Sequence, residues 1–332
     1  MLEFQLTNKE TGPATFNMAL FTVRIVFMGT PEFAVASLDA LIKAGYNIVG
    51  VVTAPDKPAG RGMKMNESAV KKYAVEHALK VLQPENLKSA DFLEELKSLN
   101  ADLQVVVAFR MLPEVVWNMP RMGTINLHGS LLPQYRGAAP INWAVINGEN
   151  STGVTTFKLK QEIDTGNLLL QESFPIGENE SAGEVHDRMK IIGAQLLVKT
   201  VKGLVEGTLK ETPQSSLVRS EDPERALKHA PKIFSETSKI DFSKSVEEVH
   251  NLVRGLSPFP GAFTYLDGKM AKILKSKKEI TQPMSPQGQF ETDNKTFLKF
   301  ACADGYVHVE EIQLEGKRRM IIEEFLRGYK FN

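Results

Sequence analysis

Two short apolar runs rich in β-branched residues, at 23–29 and 48–52, flank a stretch in which Phe33, Leu38, Leu41 and Ile42 recur at helical spacing. A strand, a short helix and a second strand imply parallel pairing through a right-handed crossover. The first half of the chain is therefore expected to build an α/β sheet with helices on its faces. Gly29-Thr30-Pro31 ends the first strand in a tight turn. It offers one glycine where a dinucleotide fingerprint needs several for close backbone approach, which argues against an NAD enzyme.

The run 103–109 has the apolar density of a central strand buried on both faces. Another strand follows at 124–127, and if both are parallel their loops emerge on the carboxyl edge, where such sheets bind ligands. Asn126 and His128 stand at that edge. Residues two apart share a face of a strand, so an amide and an imidazole lie side by side. The pair suits acyl transfer, because a carboxamide can donate to a developing oxyanion while an imidazole moves a proton. Taken alone, a histidine on an apolar strand is more often a satisfied core residue. Asp164 lies in the tight loop Glu162-Ile163-Asp164-Thr165-Gly166 between two strand-like runs. The residues by themselves favour an Asx turn closing a hairpin onto Gly166. A long amphipathic helix over 181–205, opened by a capping box from Ser181 to Glu184, closes this half.

At 332 residues and 42% hydrophobic content, two domains are expected. We place them at 23–207 and 225–332, with a polar linker over 208–224. Residues 1–22 are polar and aperiodic, an expected dispensable extension that is either disordered or an upstream mis-assigned start ahead of Met18. The second half reads as short alternating strands behind a helix at 246–254, with Asp267-Gly268 a hairpin turn, and suggests a small antiparallel barrel of the OB type. Forty basic residues balance forty acidic ones, so a polyanionic partner would need local basic patches. Lys272 and Lys275 supply one such patch, and Lys317 with Arg318 another. The loop 53–66 carries Lys57, Arg61 and Lys64 and exceeds a minimal connection; it is either a solvated insertion or a lid reaching a phosphate-bearing partner. The single cysteine, Cys302, excludes a disulfide framework, and the six histidines show no paired ligand spacing, so no metal is expected. His186, His229 and His250 are expected on helix or linker surfaces. No apolar run approaches the ~20 residues of a membrane helix and no secretion signal opens the chain, which points to a cytoplasmic protein without membrane association.

Five motifs carry a family resemblance: GTPEFA at 29–34, PDKPAGRG at 55–62, N-x-H-x-S-L-L-P at 126–133, RGAAP at 136–140 and IDTG at 163–166. With these the chain, from about Arg24 to its C-terminus, resembles the methionyl-tRNA formyltransferase family of 10-formyltetrahydrofolate-dependent enzymes. The resemblance implies a Rossmann-like formyltransferase domain with a mostly parallel sheet, followed by a small OB-like β-barrel. It implies that Asn126, His128 and Asp164 form a catalytic trio, which reverses the Asx-turn reading, with Asp164 orienting His128 or a water. Ser130, Leu131, Leu132 and Pro133 would line the folate site, with Phe109, Arg110 and Met111 as its wall, where many relatives carry a tyrosine and a glycine instead. The donor would be 10-formyltetrahydrofolate and the acceptor the methionine amine of initiator Met-tRNA, for translation initiation by a monomeric enzyme. Arg61 in its loop would meet the acceptor stem, and the barrel lysines and arginine the tRNA backbone.

Two other readings share features with this one. A sugar-nucleotide N-formyltransferase has the same trio and a C-terminal barrel but no need of the arginine-bearing loop or the basic strands. An RNA-binding protein on an inactive formyltransferase fold would have lost one of the trio. If the loop meets tRNA, Arg61→Ala raises KM for Met-tRNA while the folate KM stays unchanged; steady-state kinetics that lose both equally would indicate a misfolded domain instead.

Overall fold

The computed structural model describes residues 23–59, 64–217 and 227–331. The expected extension at 1–22, Arg61 and the last part of the expected linker, 218–224, lie outside these residues.

Strand β1 (Arg24–Gly29) leads through helix α1 (Glu32–Lys43) to β2 (Asn47–Val52). A two-stranded ribbon, β3 (Lys57–Ala59) against β4 (Lys64–Asn66), stands where a loop was expected. Then come α2 (Ala69–Glu76), β5 (Val81–Leu82), α3 (Ala90–Ser98), β6 (Leu103–Val107), α4 (Glu114–Trp117) and β7 (Thr124–His128). After β8 (Arg136–Gly137) and α5 (Pro140–Ile146), the strands β9 (Ser151–Lys158) and β10 (Leu168–Pro175) precede the long α6 (Ala182–Val205). The seven-stranded sheet has the order β10-β9-β7-β6-β1-β2-β5, with its central strands parallel and β9 and β10 added antiparallel.

Alternation along each central strand feeds two cores. Ile25, Phe27, Leu103, Val105, Ile125 and Leu127 pack with α1 and α6, whereas Val26, Met28 and Val106 pack with Phe92, Leu96 and Val116 on the opposite face. The chain leaves β1 in one direction for β2 and β5 and resumes on β1's other side with β6 and β7. The crevice beyond Gly29 and Val107 is therefore a topological switch point, the place where open α/β sheets hold ligands. The α6 capping box forms as read, Glu184 reaching back to the Ser181 N–H at 2.8 Å.

The chain returns with β11 (His229–Ala230), α7 (Ser235–Ser238) and α8 (Val246–Leu256). Antiparallel strands β12 (Ala262–Leu266), β13 (Lys269–Ile280), β14 (Phe290–Thr292), β15 (Leu298–Ala301), β16 (Gly305–Leu314) and β17 (Met320–Ile321), then helix α9 (Ile322–Gly328), complete it. They curl in the order β12-β13-β16-β15-β14, with β17 on β16, and α8 covers the concave core; the sheet is a half-barrel whose edge strands β12 and β14 do not pair with each other. Asp267 and Gly268 both take left-handed φ, the turn that a two-residue hairpin needs.

His250 departs from expectation. Expected on a helix or linker surface, it lies under β13, 2% exposed, with Nδ1 3.0 Å from Ser276 Oγ and Nε2 without a hydrogen-bond partner among the described residues. Burial, with Lys278 and Arg254 close by, pushes its imidazole down to about 4 from the usual 6.5. The unfolded chain therefore takes up this proton first as pH falls, so the fold loses stability from about pH 6.5 down to about pH 4. His250→Gln should remove about 2 kcal/mol of the stability difference between pH 7.5 and 4.5, read as urea midpoints at both pH values; identical slopes in the two proteins would refute it.

Candidate active site

A cavity of about 700 Å³ opens at the switch point. Its polar end is formed by Asn126, His128 and Asp164, and its apolar end by Val106, Phe109, Met111, Leu112, Trp117 and Leu159. Asn126 and His128 leave β7 on the face opposite Ile125 and Leu127 because the strand alternates. The Asn126 carboxamide makes no hydrogen bond among the described residues, so its N–H groups are free to meet a bound molecule.

His128 is 7% exposed, and its two ring nitrogens have different surroundings. Nε2 lies 2.9 Å from the carbonyl oxygen of Tyr135. A carbonyl only accepts, so Nε2 carries the hydrogen and the neutral ring keeps its lone pair on Nδ1. That nitrogen looks toward the Asp164 carboxylate, 3.8 Å from Oδ2. The gap is too long for a hydrogen bond but within the range at which the carboxylate's charge acts on the ring.

The turn that carries the Tyr135 carbonyl is heavily fastened. Tyr135 adopts a left-handed φ of 59° and is buried. Its hydroxyl donates to Glu149 and accepts from Asn147, and burial followed by the Glu149 contact raises its ionisation well beyond the ordinary range. Ser130 Oγ donates to the Gln134 carbonyl at 2.6 Å, Thr155 Oγ1 to the Ser130 carbonyl at 2.6 Å, and Gln171 Nε2 to the Leu132 carbonyl at 2.9 Å. Ser130, Leu131, Leu132 and Pro133, expected along the folate site, therefore lie outside the cavity lining, with Ser130 and Leu132 fully buried. The Ser130 and Leu132 carbonyls tie the turn to β9 and β10.

Asp164 sits in the β9–β10 hairpin at φ 55°, and Oδ2 accepts from the Gly137 N–H at 3.0 Å. Gln214, in a stretch read as linker, is buried and holds this loop. Its Nε2 donates to the carbonyls of Asp164 and Gly166, both at 2.8 Å, and its Oε1 accepts from both Nε and the terminal nitrogen of Arg136. Strand β11 pairs with β8, and the Tyr135 N–H donates to the Lys228 carbonyl at 2.6 Å. Sequence reasoning missed Gln214; the one available signal was an uncharged amide between Pro213 and two serines in an otherwise polar stretch.

Phe109, Arg110 and Met111 all line the cavity, but the Arg110 guanidinium turns to the carbonyls of Pro84 and Glu85 and fastens that rim to the 109–112 wall. Among the residues expected to meet tRNA, Lys57 is exposed on β3 and Lys317 on the β16–β17 turn. Lys275 pairs with Glu310 at 3.5 Å and Arg318 with Glu324, whereas Lys272 donates to the Pro260 carbonyl at 2.7 Å within its own half-barrel. The Lys64 side chain and Arg61 are outside the described residues. Among the described residues no group of three His, Cys, Asp or Glu side chains is placed to hold a metal ion, and no helix is long and apolar enough to cross a membrane.

Family models described as formyl transferase and formyl transferase, C-terminal domain, match residues 23–201 and 232–330. The chain is 51% identical over 312 residues to the methionyl-tRNA formyltransferase of Bacteroides fragilis, spanning 92% of this chain and 95% of that one. It is 52% identical over 314 residues to the enzyme of that name from Parabacteroides distasonis, spanning 93% and 96%. Among solved structures it resembles an N-formyltransferase from Helicobacter canadensis in complex with folinic acid and dTDP-3-aminofucose, with a TM-score of 0.64 at 21% identity over 90% of this chain and all of that one.

At Gly166 an added Cβ would stand 1.6 Å from the Lys158 carbonyl oxygen, so the hairpin carrying Asp164 must open to accept it. Gly166→Ala should lower stability by about 2–3 kcal/mol in a denaturant titration; an unchanged midpoint would mean that the hairpin shifts freely.

Proposed function

The chain belongs to the methionyl-tRNA formyltransferases, which move a formyl group onto the methionine amine of Met-tRNA, and we propose that this transfer takes place over Asn126, His128 and Asp164. The donor is a folate, read here as 10-formyltetrahydrofolate, and the acceptor as the initiator form of Met-tRNA. The folate supplies a formyl group already activated on nitrogen. Phe109, Met111, Leu112 and Trp117 give its flat ring an apolar end of the cavity, which fits a co-substrate with one aromatic and one reactive part.

The observation that carries this reading is the Tyr135 carbonyl on His128 Nε2, 2.9 Å away, which leaves Nδ1 as the basic atom facing Asp164 beside an unengaged Asn126 carboxamide. As the amine attacks the formyl carbon, Asn126 donates to the oxygen that becomes negative. His128 Nδ1 takes the proton that the amine must lose and returns one to the departing nitrogen, so the new C–N bond forms and the old one breaks with the charge balanced. Asp164, fixed through Gly137 and Gln214, offsets the positive charge on the imidazolium while it holds that proton. The sugar-nucleotide alternative rests on fold likeness alone, because at 21% identity the Helicobacter protein shares architecture without implying a shared acceptor.

Asn126→Ala should lower kcat roughly 100- to 1,000-fold with the folate KM little changed. Asp164→Asn keeps the left-handed turn and the acceptor for Gly137 but loses the charge, so kcat should fall about 100-fold or more at an unchanged melting temperature. The assay offers the folate donor with Met-tRNA or with an amino sugar nucleotide. Near-normal turnover by Asn126→Ala removes that residue from the mechanism, and formylation of the sugar alone overturns the acceptor.

A further inference from the structure

A second cleft, of about 1,050 Å³, lies between the two halves of the chain and shares Ile141, Asn142 and His186 with the lining of the active-site cavity. On its rim stands Phe259, 80% exposed. Among the described residues its ring stacks on no other aromatic side chain and lies under no cation.

The loop presenting this ring is fastened on every side. The Ser257 carbonyl accepts from the Gly183 N–H at 3.0 Å, the Pro260 carbonyl from Lys272 Nζ at 2.7 Å, and the Gly261 N–H donates to the Leu256 carbonyl at 2.9 Å. Pro258 and Pro260 flank the phenylalanine and fix their own φ angles, so little backbone freedom is left for the ring to fold inward. Exposing a phenylalanine on so fixed a loop gains nothing for the fold, since the ring would be more stable out of water.

Most charges in the cleft pair with one another, and Lys277 is the cation left over for an anion among the described residues. Lys275, Lys277 and Arg319 line it, and the Lys277 side chain has no partner among the described residues. The acidic residues there are engaged: Glu310 with Lys275, Glu311 with Arg319, Glu184 in the α6 capping box, and Asp187 with Lys190. An unpaired aromatic face and an unpartnered cation in a groove leading to the reacting atoms form a combination that suits single-stranded nucleic acid: a phosphate meets the cation and a base stacks on the ring.

We propose that Phe259 is a stacking platform for an unpaired base near the 3′ end of the tRNA acceptor, which reaches Asn126 and His128 along this cleft. The inference rests on the Met-tRNA reading above and adds to it a substrate-positioning residue outside the reacting centre. It also accounts for Lys272, whose ammonium holds the stacking loop in place and is not available for a phosphate.

Phe259→Ala, Phe259→Leu and Phe259→Trp are compared with wild type in steady-state formylation of Met-tRNA, the folate KM being measured in parallel. Stacking predicts that alanine and leucine raise the KM for Met-tRNA about 10-fold, with kcat and the folate KM within about twofold, and that tryptophan restores or improves the wild-type value. Met-tRNA bearing 2-aminopurine at an unpaired 3′ position should be quenched more strongly by the tryptophan variant than by the leucine variant. A leucine variant with wild-type KM, or an alanine variant that raises both KM values alike, overturns the stacking role while leaving the reaction intact. Wild-type protein that formylates no Met-tRNA overturns the reaction and this inference with it.

Discussion

The hydrogen bond between His128 Nε2 and the Tyr135 carbonyl decides what the site can do. An imidazole has one proton to place when neutral, and a fixed acceptor on one side settles which nitrogen keeps it. With Nε2 committed, Nδ1 is the ring's basic atom, and a carboxylate lies 3.8 Å beyond it. Rotating the Tyr135 carbonyl away would let the other tautomer form and present an N–H to a substrate that must lose a proton. The left-handed φ at Tyr135, the buried ring, and the clamps from Thr155 and Gln171 all hold that one carbonyl in place.

This constraint explains why the two halves of the chain are not independent supports. The segment 228–230, which leads into the half-barrel, lies along residues 135–139, accepting from the Tyr135 and Ala139 N–H groups through the Lys228 and Ala230 carbonyls. Gly137 has φ 127° and no room for a Cβ, which would fall 2.4 Å from the Ala230 carbonyl oxygen, so the approach requires glycine. Through Gly137 the same contact reaches Asp164, whose Oδ2 accepts from the Gly137 N–H. Sheet edge, hairpin and returning chain thus converge on a single peptide.

Much of this was legible from residue order. Apolar density in 103–109 and alternation in 124–128 gave the strands and the shared edge, because a strand buried on both faces reads as a continuous apolar run and one with a polar face alternates. The pairing of Asn126 with His128 followed from the same rule. Asp164 does sit in the hairpin, in a left-handed conformation, but its carboxylate reaches across to Gly137 and toward His128 where an Asx turn onto Gly166 was the reading from the residues alone. What could not be read was whatever depends on a backbone atom or on distant packing. The Tyr135 carbonyl has no letter of its own, and Gln214 looks like any polar linker residue until the hairpin is seen against it. His250 was expected on a helix surface, and its burial is visible only once Ser276 of β13 is seen against it. The motif at 130–133 also holds a turn, with Ser130 and Leu132 buried, which its letters do not show.

Gln214 and the 228–230 segment also set an order in time. Chains emerge from the ribosome N-terminus first, and domains fold as they appear. When the first sheet can close, Asn126, His128 and Asp164 have all been synthesised, yet the amide that holds the hairpin and the carbonyls that receive residues 135 and 139 have not. A nascent or prematurely terminated copy would carry its reactive side chains on an unbraced edge, so competence arrives late, only after the chain has come back to its own beginning.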